Sequence, residues 1–197
     1  VSAANPLLLF NLTVSLEWDA RNDATFMTQL QNDIKRTSQI LFDVSNGQAA
    51  LGHVRIYQDK GFWGTANLVI LANNGQRPNA VMGGSVLTAT VDVDSQGNQI
   101  VDAYVPGQVR IGATWNRFGN AGSTLGEDWP RALAHELGHF FFFQADDYIG
   151  VSPDHKTIKL VDCKGSIMTD PYDENYSEFV NPTGWTGDCL DTLTQQY

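Results

Sequence analysis

Two histidines and a glutamate stand together in the segment HELGHFFFFQADDY, residues 135–148. His135 and His139 are four residues apart, so on a helix their side chains project from one face, one turn apart. Two imidazoles at this spacing can bind one zinc ion, and Glu136 on the neighbouring flank can act as a general base. A plain polar stripe is the alternative, but titratable groups beside four phenylalanines would be desolvated at a cost unless paired or ligated. The HExxH spacing therefore predicts a zinc site.

A catalytic zinc needs a third protein ligand and one open position. Asp146 follows His139 by seven residues. On an unbroken helix the two would lie about 10.5 Å apart along the axis, too far to share one ion. We therefore expect the helix to end after the phenylalanines and the chain to turn back. Because a helix that is apolar all round is a buried one, Phe140–Phe143 are expected to anchor it in the core.

The elements around this segment follow from apolar periodicity. Asp128 is predicted to cap the helix that carries the two histidines, with Pro130 in its first turn. Residues 23–45 predict an amphipathic helix capped by Asp23. A hairpin is predicted at 85–105; the same segment partly matches a calcium loop, which makes Ca²⁺ a weakly supported second ion because the final glutamate is missing. Strands are predicted at 7–18, 53–58, 66–72 and 108–115.

These elements predict one α+β domain over residues 1–197. Residues 1–140 are expected to form an upper subdomain with a mixed β-sheet, a backing helix and the active-site helix. Residues 141–197 break into turns and short pieces, and they are expected to form an irregular lower subdomain.

HELGH, followed by Asp146-Asp147-Tyr148 and by SIM at 166–168, resembles the motifs of the metzincin zinc metallopeptidases. The one-residue-longer spacing to the aspartates is similar to that of the protease domain of the CLCA proteins. The resemblance implies a metzincin-like fold with a twisted sheet. It also implies site roles for five residues: His135, His139 and Asp146 as zinc ligands, Glu136 as base, and Met168 as the methionine of the turn beneath the zinc.

Several assignments around this motif have alternatives. Where the family pattern has a glycine that supplies a left-handed turn, this chain has Phe143. Asp147 is an alternative third ligand. A glutamate from a downstream helix is another, as in other HExxH peptidases, with Glu174 and Glu178 in range and His155 as a weaker candidate.

Three further residues have alternative roles, either in the predicted site or in packing. Met168 could simply fill the core, but its place 29 residues after His139, among turn-forming residues, favours the turn beneath the zinc. Tyr148 and Tyr172 could each donate a hydrogen bond to the oxyanion of a tetrahedral intermediate, and surface or packing roles are open for both.

Composition limits the classes of partner. The 197 residues carry a formal charge of −10, and seven of those charges come from residues 141–197. Such a surface repels phosphates and anionic lipid, so neither nucleic acid nor a membrane is an expected partner. No run of about 18 apolar residues predicts a membrane span.

The two cysteines, Cys163 and Cys189, are either free buried thiols or one disulfide. The acidic, lysine-poor composition fits an extracellular protein, and a disulfide is expected there. We therefore expect a secreted, monomeric domain with a Cys163–Cys189 bridge.

Two functions are compatible with these patterns. The first is a zinc endopeptidase that hydrolyses protein or peptide substrates, with Glu136 moving protons. The second is a secreted binding or adhesion module of the same fold with a structural zinc or none, which the phenylalanine at position 143 favours.

Overall fold

A computed structural model describes residues 6–86, 88–104, 106–118, 126–151, 158–179 and 189. Two helices and nine strands lie within these ranges. The helices are α1 (Ala24–Val44) and α2 (Asp128–Phe142). The strands are β1 (Leu8–Leu16), β2 (Ala49–Tyr57), β3 (Leu68–Leu71), β4 (Asn79–Ala80), β5 (Thr88–Val93), β6 (Gln99–Tyr104), β7 (Val109–Gly112), β8 (Ile149–Val151) and β9 (Ile158–Leu160).

Five strands form one mixed sheet in the order β2-β1-β3-β7-β4. The first four are parallel, and β4 pairs with β7 in the antiparallel direction at the edge. Helix α1 connects the neighbouring parallel strands β1 and β2, as parallel pairing requires a crossover. The architecture is therefore mixed α/β, with the predicted mixed sheet and two helices.

Two antiparallel ribbons lie outside this sheet. Strands β5 and β6 form the hairpin predicted at 85–105, and the carboxylate of Asp94 accepts backbone hydrogen bonds from Gln96 and Asn98 in its turn. Strands β8 and β9 form the second ribbon, which the sequence pattern did not predict. Each has only three residues, too few for a visible alternation of apolar side chains.

The core lies between the sheet and the two helices. Alternate strand residues face it, which is the period of two that a half-buried strand requires. Helix α1 begins as predicted, because the carboxylate of Asp23 accepts a hydrogen bond of 2.9 Å from the backbone N–H of Phe26. The fully buried apolar residues of the strands include Leu12, Val14, Leu16, Leu68, Ile70, Val109 and Ile111.

Helix α2 is buried on all sides, since every residue from Trp129 to Phe140 is buried. The predicted cap is wrong by one residue: Glu127 occupies the N-cap position and makes no side-chain cap. The carboxylate of Asp128 instead accepts from the backbone N–H of Arg117 and pairs with its guanidinium at 3.4 Å.

The four consecutive phenylalanines, residues 140–143, differ in how deeply their rings are buried. Phe140 is fully buried, and Phe141 stacks on Phe10 with ring centroids 4.2 Å apart. Phe142 lies 5.4 Å from the ring of Phe179. Phe143 is 39% exposed, against the prediction that it anchors the helix, because it follows the last helical residue.

Cys163 and Cys189 form the predicted disulfide, with a Cα–Cα distance of 5.5 Å. Within the described part of the chain, neither helix is both long and apolar enough to cross a membrane.

Candidate metal centre

Three side-chain atoms converge at the end of α2. The Nε2 atoms of His135 and His139 are 3.2 Å apart, and Oδ1 of Asp146 lies 3.2 Å from the first and 3.3 Å from the second. Ligands placed tetrahedrally at 2.0–2.1 Å from a zinc ion are separated from each other by about 3.3 Å. The three atoms thus form a triangle of the size that a tetrahedral ion requires.

Hydrogen bonds at the opposite ring nitrogens fix the orientation of both imidazoles. Nδ1 of His135 lies 2.9 Å from the carbonyl oxygen of Ile167, and Nδ1 of His139 contacts the carbonyl oxygen of Gln144. A carbonyl can only accept, so each Nδ1 carries a proton, and the neutral form of each ring then has its lone pair on Nε2. This arrangement is the one that ligating histidines adopt.

The carboxylate of Asp146 completes the group. Its Oδ1 atom is buried, and it lies 3.2 and 3.3 Å from the Nε2 atoms of the two imidazoles. A proton on either Nε2 would donate to this oxygen, and although burial raises the pKa of Asp146, such hydrogen bonding holds it below the ordinary value. Once both rings have lost that proton, the buried anion faces two lone pairs, which is a donor set suited to a cation, so these three residues can hold a metal ion.

The turn after α2 brings Asp146 back to the histidines. Phe143 is the C-cap and adopts the left-handed conformation, with φ 57° and ψ 23°, and the N–H groups of Phe143 and Gln144 bond to the carbonyl of Gly138. The left-handed turn of the family pattern is therefore made by a phenylalanine. Gly83 accommodates it, because a Cβ on Gly83 would lie 2.1 Å from the Phe143 ring.

Asp147 points away from the ligand triangle. Its carboxylate accepts a hydrogen bond of 2.6 Å from the hydroxyl of Ser166, and its backbone N–H bonds to the carbonyl of Met168. Burial raises the pKa of Asp147 to about 6. Asp147 therefore fastens the ligand loop to the turn at 166–169, and Asp146 is the aspartate that faces the histidines.

Met168 lies directly beneath α2. It is fully buried, and a Cβ on Gly138 would come within 2.9 Å of its sulfur. Gly138 stands between the two histidines in sequence, so the absence of a side chain there lets the 166–169 turn approach the helix closely. The neighbouring Ile167 is the residue whose carbonyl orients His135. The turn thus packs against the face of α2 that carries His135 and His139, and a role of Met168 beneath a zinc ion stays a prediction.

Glu136 lies in the wall of a cavity of about 290 Å³ together with His135. Only 6% of its surface is exposed, and burial raises the pKa of its carboxyl group above the ordinary value. No described residue donates a hydrogen bond to this carboxylate, so it remains available to a molecule in the cavity. The arrangement places a basic group beside the metal-binding triangle without making it a ligand.

Both tyrosines named above line the same cavity. The hydroxyl of Tyr148 donates to Oδ2 of Asp146 at 2.8 Å, and burial together with this bond raises its pKa to about 12. The hydroxyl of Tyr172 accepts from Nε1 of Trp115 at 3.0 Å, which leaves its own proton for another acceptor. Tyr148 therefore holds the third ligand, whereas Tyr172 can donate into the cavity.

The downstream glutamates do not join the metal group. Glu178 accepts a hydrogen bond from the side chain of Asn46, and Glu174 is exposed in a second cavity beside α1. His155 lies outside the described residues.

One residue important for the cavity was missed in the sequence. Arg131 on α2 is 5% exposed, and its guanidinium donates to the carbonyl oxygens of Pro171, Asp173 and Tyr176. It therefore binds the segment that follows the 166–169 turn, which forms the cavity wall around Tyr172. A lone arginine in an apolar helical segment was the available signal, since a buried cation requires such partners.

Comparison with models of known families found no match, and neither did comparison with curated proteins.

Proposed function

We propose that this protein is a zinc-dependent endopeptidase of the metzincin type, closest in motif to the CLCA protease domain. The observation that carries the proposal is the triangle of His135, His139 and Asp146 with Glu136 in the adjoining cavity wall. Three protein ligands with space on the fourth side are typical of catalytic zinc sites, whereas structural sites are closed by four.

When bound, zinc would supply a Lewis acid that polarises a peptide carbonyl and lowers the pKa of an attached water. Glu136 would take a proton from the attacking water and return it to the leaving amine. Its raised pKa suits this exchange, because a stronger base accepts the proton more readily. The cavity beside Glu136 would hold the substrate residue next to the bond that is cleaved.

Tyr172 is the better placed of the two tyrosines to stabilise the oxyanion of the tetrahedral intermediate. Trp115 fixes its hydroxyl, and its proton is not used by Asp146 as that of Tyr148 is. A donor that is already oriented before the reaction stabilises developing charge without reorganisation. Tyr148 would instead hold Asp146 in position.

The substrate class we propose is protein or peptide, and the place of action is outside the cell. The disulfide supports an oxidising location. The cavity of about 290 Å³ beside Glu136 supports a substrate side chain next to the candidate metal group.

The first experiment substitutes the proposed base. Glu136→Ala should retain zinc, because the three ligands are untouched, and should lose peptide hydrolysis by several orders of magnitude. Zinc content by mass spectrometry and cleavage of a denatured protein substrate measure the two properties separately. Full activity in Glu136→Ala would remove the proposed mechanism.

Diffraction data collected on either side of the zinc absorption edge would test the metal itself. We expect one ion bound by His135, His139 and Asp146, together with loss of activity on chelation and recovery with zinc. A fourth protein ligand would support the alternative, a binding or adhesion module with a structural metal. The main sequence argument for that alternative is weakened by Phe143, which makes the left-handed turn without glycine.

A further inference from the structure

The cavity beside the candidate metal centre has two arginines in its lining, although the protein as a whole is acidic. The protein has 22 acidic residues against 12 lysines and arginines, yet Arg77 and Arg117 both lie in this one wall. Glu136 and Asp170 are the acidic members of the same lining. The cavity is thus balanced in charge, within a molecule of net charge −10.

Arg117 is already engaged by its neighbours. Its guanidinium pairs with the carboxylate of Asp128 at 3.4 Å and lies over the ring of Tyr172, 5.1 Å from the centroid. Asp170 is also engaged, because its carboxylate accepts from the backbone N–H of Tyr172. These contacts explain the positions of both groups without a ligand.

Arg77 differs from Arg117 in this respect. Its side chain is exposed, and no hydrogen bond or ion pair joins its guanidinium to any residue that the structure describes. Its backbone is fixed nonetheless, since the carbonyl accepts a hydrogen bond of 3.0 Å from the side chain of Asn79, at the start of β4. The result is a cation on an anchored edge of the cavity, whose five donor hydrogens have no acceptor among the described residues.

The cavity lining places this charge beside the proposed site. Arg77 lines the same cavity as Tyr148, Tyr172 and Glu136. The hydroxyl of Tyr148 holds Asp146 at 2.8 Å, and that of Tyr172 is fixed by Trp115 at 3.0 Å. A substrate bound beside Glu136 would therefore meet the guanidinium of Arg77 in the same cavity.

We propose that Arg77 binds a carboxylate of the substrate, so that the protein selects peptides with an acidic group close to the cleaved bond. This inference rests on the proposed endopeptidase function. A guanidinium matches a carboxylate in planar, paired hydrogen bonds, which a neutral amide cannot reproduce. The negative charge elsewhere on the molecule does not prevent this, because it is screened beyond about 8–10 Å at physiological salt.

Two sources could supply the carboxylate: an Asp or Glu side chain, or the free C-terminus of the substrate. The probes are labelled octapeptides in which one glutamate replaces glutamine at successive positions, each made with a free and with an amidated C-terminus. We expect kcat/KM to be about ten- to a hundredfold higher for the best glutamate peptide than for its glutamine partner, the range for hydrogen bonds to charged groups. A glutamate preference that persists on amidation would assign the carboxylate to the side chain, whereas a rate that falls on amidation equally for both peptides would assign it to the C-terminus.

Variants then connect the preference to the residue. In Arg77→Ala the glutamate-to-glutamine ratio should fall to about one, and Arg77→Glu should favour the glutamine peptide. Arg55→Ala is the matched control, since Arg55 is an exposed arginine on β2 at the opposite edge of the sheet, and its ratio should not change. The proposal would be overturned if Arg77→Ala kept both the wild-type glutamate-to-glutamine ratio and the wild-type response to amidation.

The same peptides are also measured by fluorescence anisotropy as ligands of zinc-loaded Glu136→Gln, with and without Arg77→Ala. Absence of cleavage by the wild-type protein would refute the endopeptidase function, whereas this binding ratio would still test Arg77. Glutamate peptides should bind about tenfold more tightly, or better, only while Arg77 is present. Equal binding of the glutamate and glutamine peptides, with no loss of affinity on amidation, would refute the carboxylate site independently of catalysis.

Discussion

At the scale of single residues, the three candidate ligand side chains are held in place by hydrogen bonds with groups that do not face the ion site. The carbonyls of Ile167 and Gln144 fix the two imidazoles, and Tyr148 holds the carboxylate of Asp146. Such partners set the orientation of ligands before an ion binds. The hydroxyl of Ser166 donates to the carboxylate of Asp147, and this bond joins the loop that carries Asp146 to the 166–169 turn.

The two neighbouring aspartates should differ in their effect on metal binding. Asp146→Ala should weaken zinc affinity by more than about a hundredfold, because it removes a ligand. Asp147→Ala should weaken it by about tenfold to a hundredfold at most, as expected for a group behind the ligands. Competition with a chromophoric chelator measures both affinities. The reverse order would show that Asp147 is the ligand.

Asp33 on α1 should make stability depend on pH. Burial raises the pKa of this carboxyl from 3.8 to about 6. Because the folded pKa is the higher one, the wild-type protein should lose up to about 3 kcal/mol of stability as the pH rises from about 4 to 7. Asp33→Asn should escape this loss, so urea unfolding of the metal-free proteins should show equal stability near pH 3.5 and a more stable variant at pH 7.5.

Asp94 provides the control with the opposite sign. Hydrogen bonds from Asn98 lower the pKa of the Asp94 carboxyl, so its contribution is present above the ordinary pKa and disappears on acidification. Asp94→Asn should therefore be the less stable protein at neutral pH. If Asp33→Asn were also less stable than the wild-type protein at neutral pH, burial would not be the main cause of the pKa of Asp33.

At the scale of elements, the position of Asp146 relative to the two histidines depends on where α2 ends. The helix stops at Phe142, and Phe143 takes a positive φ so that the chain reverses towards the histidines. A non-glycine residue in this conformation costs about 1–2 kcal/mol. Packing of its ring on Gly83 offsets part of that cost.

Substitutions at the helix end should show this conformational cost. Phe143→Gly and Phe143→Ala lose the same ring, but only alanine keeps the penalty of the left-handed conformation. The glycine variant should therefore be more stable by about 1 kcal/mol in urea unfolding. At Phe142, inside the helix, the order should reverse by about 0.5–1 kcal/mol. A glycine at 143 that is no better than alanine would show that the turn relaxes on substitution.

At the scale of the whole molecule, the 166–169 turn connects the parts of the site. It contacts α2 at Gly138, orients His135 through Ile167 and receives Asp147. The carbonyl of Cys163 accepts hydrogen bonds from Ser166 and Thr169, which links the turn to the disulfide. The disulfide therefore lies next to the turn that packs against the face of α2 carrying His135 and His139.

Removal of the bridge should lower global stability. The disulfide closes a segment of 26 residues, so Cys163→Ala/Cys189→Ala should lose about 3 kcal/mol of unfolding free energy. Reduction of the wild-type protein should give the same loss in urea unfolding, and the double variant should not respond to reductant. Equal stability of the oxidised protein and the variant would mean that the unfolded chain is not restricted by the bridge.

The sequence by itself determined the features that depend on local spacing. Helical periodicity placed His135 and His139 on one face, and the apolar run predicted that α2 is buried. The length of an unbroken helix required a turn before Asp146, and alternation predicted the β5–β6 hairpin. These features follow from the geometry of a single element, which a sequence records directly.

Only the tertiary structure decided which groups meet. The choice of Asp146 over Asp147 depends on Ser166, nineteen residues away, and the turn at Phe143 depends on the missing side chain at Gly83. Arg77, near the edge strand, shares a cavity wall with Glu136 on α2. Such contacts join residues distant in the chain, and their energies depend on burial and orientation, which exist only once the elements have packed.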